Sequence, residues 1–361
     1  MIRVLEVIKR YYFYDKNITY EKYGNGNINK TYLVKKDDWY IIQEINLNVF
    51  KEPNNVIYNI NLLNEYLDNS QYCFKMIKLI KNLDGEYLTR ITGYNDTYYR
   101  CYKYIISDAC EDRYLSDDMI YIGGKVIGKF LKTFSGLDPN KLKIIIPDFH
   151  NTPKRYECFI DAYNNDNYFR KRLAEKECQY LMNNHYIIEK VFKYIKENKL
   201  PLRVCHNDTK LSNVLFNNNT NDSTLIDMDT IMPGYLIFDY ADGIRSCISN
   251  LQEDSNDYQN LEINIQSFSL FTKGFLEETK DIIISNEVEL LVEAVKVITY
   301  ECALRFISDF LNNDKYFKTN YCLHNLVRTR NQIMLIEKIK EKNDVLENIV
   351  KNIYYEIKNN Q

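Results

Sequence analysis

Along the first hundred residues, apolar and polar positions alternate in short runs. These are TYLVKK (31–36), WYIIQEI (39–45), MIKLI (76–80), EYLTRI (86–91) and YYRCYKYI (98–105). Short runs rich in β-branched and aromatic residues predict strands. One stretch switches to helical spacing: NNVIYNINLLNEYLDN (54–69) puts Val56, Ile60, Leu63 and Leu67 on a single face. The N-terminal Ile2, Leu5, Ile8 and Tyr12 also recur at helical spacing and predict a short amphipathic helix. From about residue 117 the pattern becomes helical. MIYIGGKVIGKFLKTFSGL (119–137) reads as a long helix, followed by helical stretches near 167–198, 257–278, 286–312 and 324–358. A strand-rich insert, RVCHNDTKLSNVLF then STLIDMDT, interrupts them. The pattern predicts an α+β, bilobal chain: a small β-rich N-lobe (1–104), a hinge near 102–107, and a larger, mostly helical C-lobe (105–361). Leu335, Ile336, Ile339, Val345, Ile349 and Ile353 should dock the last helix on its own lobe.

Composition narrows the class. With 361 residues, 45% of them hydrophobic and 27% charged, the chain can bury a sizeable core. A net charge of −3 gives no basic surface for nucleic acid or an anionic membrane. Charges interrupt the N-terminus every few residues, so it reads neither as a signal peptide nor as a spanning helix. A cytoplasmic monomer is expected. The nine cysteines are scattered, form no CxxC pair and accompany only four histidines. Inert thiols fit this better than a zinc site.

The chemistry concentrates at 206–213, HNDTKLSN, and at 225–229, LIDMD. Phosphoryl transfer needs oxygen ligands for magnesium and a carboxylate for the acceptor hydroxyl. Asp208 precedes Asn213 by five residues, the spacing of the kinase catalytic loop H-R-D-x-x-x-x-N. Asp227 follows the apolar pair Leu225 and Ile226 and should end a buried strand. This assigns Asp208 as base or hydroxyl orienter, Asn213 and Asp227 as magnesium ligands, and Lys210 as a cation for the γ-phosphate. An isolated Asp-x4-Asn is commonplace; the combination with Lys210 and the second acid carries the reading. His206 is read as structural.

A second motif, YGNGNINKTYLV (23–34), opens the β-rich part. Gly24, Asn25, Gly26 and Asn27 could form a plain hairpin turn or let backbone amides cover a phosphate chain. The segment lacks GxxxxGK[ST] and is not a P-loop.

With these elements in view, the chain resembles the aminoglycoside phosphotransferase and choline kinase superfamily, which shares the protein-kinase fold. Within it, IIQEINLNVFKEP, IPDFHNTPKR, LIDMDTIMPGYLIFDYADGIRS and ALRFISDFLNNDKYF resemble the N-acetylhexosamine 1-kinases. The resemblance spans about residues 23–317. It implies ATP- and Mg²⁺-dependent phosphorylation of the anomeric hydroxyl of N-acetylglucosamine or N-acetylgalactosamine, with Asp208 at that hydroxyl. Arg305 and Tyr316 match sugar-holding positions, and His150 and Arg155 would lie near the acceptor. Adenine is expected at hinge backbone near Tyr102 and Tyr104. Where protein kinases carry V-A-I-K, this chain has Y-I-I-Q, so Gln43 replaces the phosphate-pairing lysine. Alternatives stay open. Arg305 could pair with Asp309 one turn away. Asp229 could orient the catalytic loop, cap a turn or bind metal. Asp239, Asp242 and Arg245 could form a buried brace. The acceptor could be another small alcohol, such as choline or an aminoglycoside, or the protein could be a catalytically silent nucleotide binder.

Overall fold

A computed structural model describes residues 2–24, 28–93, 96–107, 115–217 and 223–359. Five antiparallel strands make one sheet: β1 (Thr19–Lys22), β2 (Lys30–Lys35), β3 (Trp39–Ile45), β4 (Thr89–Ile91) and β5 (Thr97–Lys103). Their spatial order is β1-β2-β3-β5-β4. The alternation in β3 and β5 gives the sheet two different faces. Tyr40, Ile42, Tyr99 and Cys101 pack with Val4, Val7, Ile8, Tyr11 and Phe13, in and just after helix α1 (Ile2–Ile8). The opposite face carries Ile41 and Gln43 of β3, directly across from Tyr102 and Arg100 of β5.

Two expectations for this region are corrected. Helix α1 stops at Ile8, so Tyr12 is off its face and exposed, and Val4, Val7, Ile8 and Tyr11 are the buried set. MIKLI forms no regular strand; it touches the sheet through a single bridge between Leu79 and Tyr102. Strand β1 has no apolar alternation to announce it, because it is an exposed edge.

Helix α2 (Pro53–Asp68) begins at a proline, which suits a first turn whose N–H groups find no intrahelical acceptor, since proline has none to leave unpaired. Its Val56, Ile60 and Leu63 join one continuous core with Phe130, Phe134 and the rest of the helical lobe. Buried Asn59 ties it down further. Its Nδ2 donates to the carbonyls of Lys143 and Ile231, each at 2.8 Å, and its Oδ1 accepts from the Lys143 N–H.

The helical lobe is built on α3 (Asp117–Thr133), α4 (Thr152–Asn165), α5 (Glu175–Asn183), α6 (Glu189–Lys196), α7 (Leu236–Cys247), α8 (Ile265–Thr279) and the 27-residue α9 (Ser285–Leu311). Ser116 caps α3 by accepting from the Met119 N–H. Helices α3 and α8 cross at glycines: a Cβ at Gly124 would lie 2.2 Å from the Phe271 carbonyl oxygen, and one at Gly274 would lie 2.2 Å from that of Tyr121. The last periodic stretch divides at Lys342 into α10 (His324–Glu341) and α11 (Asn343–Asn359). Leu346, Val350 and Ile353 of α11 are buried on their own lobe, while Val345 is exposed. Short strands β6 (Arg203–Cys205), β7 (Val214–Leu215), β8 (Thr224–Leu225) and β9 (Met232–Gly234) pair as β6-β9 and β7-β8, and they hold the chemistry-bearing loops between them. Among the described residues no helix is long and apolar enough to cross a membrane.

Candidate active site

Strand β6 delivers the chain into 206–213, and the loop is fixed almost entirely by buried polar groups. Both carboxylate oxygens of Asp239, in the first turn of α7, accept backbone N–H bonds from His206 (2.9 Å) and Asn207 (2.8 Å). Burial pushes the Asp239 carboxyl up to about 7, against the lowering by these two bonds. Asn207 adopts φ +64°, and its Nδ2 donates to the carbonyls of Cys205, Thr230 and Met232. The Thr230 hydroxyl closes the ring onto the His206 carbonyl at 2.7 Å. His206 Nε2 lies 2.9 Å from the Ile226 carbonyl, and its Nδ1 accepts the Asp208 N–H. A ring that donates once and accepts once is neutral, and burial lowers its pKa. His206 therefore holds the two halves of the site together. Asp242 pairs with Arg245, which also reaches Glu253. These residues form the expected brace.

This frame presents Asp208, Lys210, Asn213 and Asp227 to one cleft. Lys210 Nζ is 3.0 Å from Asp208 Oδ2. Asn213 Nδ2 donates to the Asp208 carbonyl (2.8 Å) and to Oδ2 (2.9 Å), which leaves Asn213 Oδ1 to offer elsewhere. Burial alone would raise the Asp208 carboxyl, but Lys210, His206 and the Asn213 bond hold it below the ordinary carboxylate range. Asp227, two residues past β8 at φ +60°, behaves oppositely. Burial, then Asp229 and Asp208, push it up to about 7. A half-buried carboxylate crowded by two others is short of cations. With Asn213 Oδ1 it supplies hard oxygen donors of the kind a divalent cation takes. Among the described residues no group of three or more His, Cys, Asp or Glu side chains is placed to hold a metal ion.

Helix α9 supplies the next wall, because Glu301, Arg305 and Asp309 fall at four-residue intervals along one face. Glu301 accepts from the Thr152 hydroxyl and lies 3.0 Å from His150 Nδ1. His150 Nε2 lies 3.0 Å from the Asn207 carbonyl. Both ring nitrogens of His150 are thus engaged within the protein, and the ring supports the 206–213 loop. Asp309 accepts the N–H groups of Lys315, Tyr316 and Phe317, so the Arg305–Asp309 pair does not form. Arg305 makes no hydrogen bond or ion pair with the described residues. It lies among the Phe149, Tyr316 and Phe317 rings at 5.7, 5.8 and 5.4 Å. Arg155 donates to the Phe149 carbonyl, its buried Nε has no partner, and burial followed by Arg305 lowers its pKa. The structure brings Arg155, Arg305 and Tyr316 together, with Asp208 inside the electrostatic surroundings of Arg305.

On the sheet side, Gly24 takes φ +70°, a conformation that favours glycine, while Asn25, Gly26 and Asn27 lie outside the described residues. Just beyond, Asn29 reaches across the cleft and donates to Asp229 Oδ2 at 2.6 Å. Gln43 is on the cleft face as expected. Its Oε1 accepts from Nε (3.1 Å) and Nη2 (2.7 Å) of Arg100, which also pairs with Asp229. Sequence reasoning missed Arg100; the only available signal was its position opposite Gln43, which depends on strand register. Tyr102 lies on the same face, and the Tyr104 N–H is taken by the Trp39 carbonyl, so an adenine bond from Tyr104 would have to use its carbonyl.

The model of the phosphotransferase enzyme family (APH) matches residues 109–260. Three solved structures share the fold. An aminopropanol kinase associated with a microcompartment is 12% identical, with a TM-score of 0.69, over 96% of this chain and 98% of that one. A spectinomycin phosphotransferase in complex with ADP and spectinomycin is 15% identical, with a TM-score of 0.57, over 99% and 98%. An ethanolamine kinase of Plasmodium vivax is 16% identical, with a TM-score of 0.57, over 90% and 84%. The chain therefore has the bilobal, protein-kinase-like fold that its pattern and resemblance predicted.

Proposed function

We propose that the protein transfers the γ-phosphoryl group of ATP, presented with Mg²⁺, to the anomeric hydroxyl of an N-acetylhexosamine. The observation that carries the phosphoryl-transfer reading is the Asp208–Lys210–Asn213 cluster, with Asp227 close enough for its charge to act on Asp208 and Lys210. Asp208 is ionised at neutral pH and is a weak base. Such a group orients the hydroxyl in line and takes its proton, which suffices for a loose transition state that asks mainly for positioning. Lys210 faces the charge that develops on the transferred group. Asn213 and Asp227 would hold magnesium, whose charge would neutralise the phosphates. The family match and the nucleotide named with one fold relative support the same chemistry.

The acceptor class rests on Arg155 and Arg305. Choline, ethanolamine and aminoglycosides are cations, and a cationic acceptor needs acidic or aromatic surroundings free of competing charge. Here Arg305, within the electrostatic surroundings of Asp208, stands next to Arg155, and both guanidiniums have unused donors. They repel an ammonium and suit hydroxyl and amide-carbonyl oxygens, while Tyr316 and Phe317 offer a ring face to a sugar. A kinase for a cationic amino alcohol is the second reading, favoured by the fold relatives.

Incubation with ATP, Mg²⁺ and a panel of N-acetylhexosamines, plain hexoses, ethanolamine, choline and an aminoglycoside, read by phosphorus NMR, tests this. An anomeric sugar phosphate from an N-acetylhexosamine is expected. Phosphate on an amino alcohol would overturn the acceptor assignment but keep the phosphotransferase one. No transfer to any acceptor would count against both.

A further inference from the structure

The phosphotransferase reading leaves one problem: a nucleotide's phosphates need a cation from the sheet, and the β3 position that supplies it in protein kinases is Gln43. Among the other cations on this face, Lys35 and Arg90 stand at the sheet's margins, more than a third exposed, and pair with Glu21 and Asp96. Arg100 is different. It is 1% exposed, faces the cleft from β5, and has Gln43 directly opposite in register. Gln43 Oε1 receives two of its N–H donors, which fixes the plane of the guanidinium. The remaining partner is Asp229, in the acidic loop of the other lobe, which also receives the Asn29 amide from the glycine-bearing loop. Asp227, the magnesium ligand proposed above, is a further negative charge on Arg100. Strands β3 and β5 and the Asp227–Asp229 loop therefore meet at this one guanidinium, and Asn29 joins them through Asp229.

We propose that Arg100 is the phosphate-binding cation of the nucleotide site, supplied from β5 in place of the missing β3 lysine. Gln43 is its positioning residue. Asp229 is the counter-ion that holds the guanidinium in the cleft and shares it with the phosphates when nucleotide enters. A planar, permanently charged fork suits this task, since it can keep Gln43 and a phosphate oxygen at once.

Calorimetric titration of the full chain with adenosine, ADP and ATP in the presence of Mg²⁺ tests the proposal. Arg100→Met is expected to leave adenosine affinity unchanged and to remove about tenfold to a hundredfold of the affinity that phosphates add, the range for a hydrogen bond to a charged group. KM for ATP should rise while KM for the acceptor stays put. Because Arg100→Met strands Asp229 without its partner, the double variant Arg100→Met/Asp229→Asn is measured beside it. If Arg100 only braces the lobes, the neutralised pair restores wild-type affinity for ADP, and the proposal falls. If it contacts phosphate, the double variant folds and the ADP-over-adenosine increment stays lost. Equal losses for adenosine and ADP would also overturn it. A wild-type protein that binds no nucleotide would overturn both this inference and the phosphotransferase reading, whereas a wild-type preference for ADP that survives both variants defeats this inference alone.

Discussion

His150 and His206 touch the same loop, and their neighbours drive them to opposite charge states. His150 faces a carboxylate and a carbonyl, both acceptors, so only the imidazolium satisfies both. Burial opposes this, but Glu301 wins and raises its pKa above the usual 6.5, while His150 in turn holds Glu301 below 4.5. A raised histidine contributes stability that is complete below its unfolded value and is lost as pH climbs through its folded one. A lowered glutamate loses its contribution only as pH falls through its folded value. The stability advantage of wild type over Glu301→Gln should therefore be flat between about pH 4.5 and 6.5 and shrink above that. Thermal unfolding across pH checks it; an advantage that grows above pH 6.5 would contradict the charge assignment. At the cleft, Asp208→Asn should lower kcat by roughly a hundredfold or more, the usual range for a lost general base. Turnover near wild type would remove Asp208 from the reaction.

At the scale of elements, α9 does most of the positioning. Its four-residue spacing hands Glu301 to the loop support, Arg305 to the Phe149, Tyr316 and Phe317 rings and Asp309 to the 315–317 turn that carries Tyr316. The α3–α8 contact sets the floor beneath: a Cβ on Gly123 would lie 2.5 Å from Leu211 Cδ2, at the catalytic loop itself. Gly124→Ala, which meets backbone instead of a mobile side chain, should destabilise by about 1–3 kcal/mol, the range for overpacking. Urea unfolding measures it, and a neutral result would show that the helices can separate. These elements also show what can be read from a sequence. Strands β3 and β5 and helices α2, α3 and α9 are long, apolar and periodic, so their residues declare them. Helix α4, TPKRYECFIDAYNN, is mostly polar and buries only Thr152, Phe159 and Ala162, so no apolar stretch declares it. Asp208, Asn213 and Asp227 were legible because a short loop preserves their spacing. The His150–Asn207 bond spans 57 positions and the Asn29–Asp229 bond spans 200, and no local pattern encodes either. Arg100 was hidden in the same way, since its meaning depends on which residue of β3 it faces.

For the whole molecule, the boundary suggested by chain order and the boundary drawn by the core do not coincide. Helix α2 lies between strands of the small lobe in sequence, yet its apolar face and Asn59 belong to the packing of the large one. The sheet with α1 keeps a separate core of its own. In hydrogen–deuterium exchange, α2 amides should be protected to the same depth as those of α3 and α9 and stay indifferent to nucleotide, while β3 and β5 respond to it. Matched responses from α2 and β3 would show the two moving as one. If α2 is anchored in this way, the cleft proposed to take nucleotide opens like a flap against a fixed wall. The strain of opening then falls on two stretches, the residues joining Ile45 to Pro53 and those from Asp68 to Thr89, and a shortening of either should slow product release without touching the reacting groups.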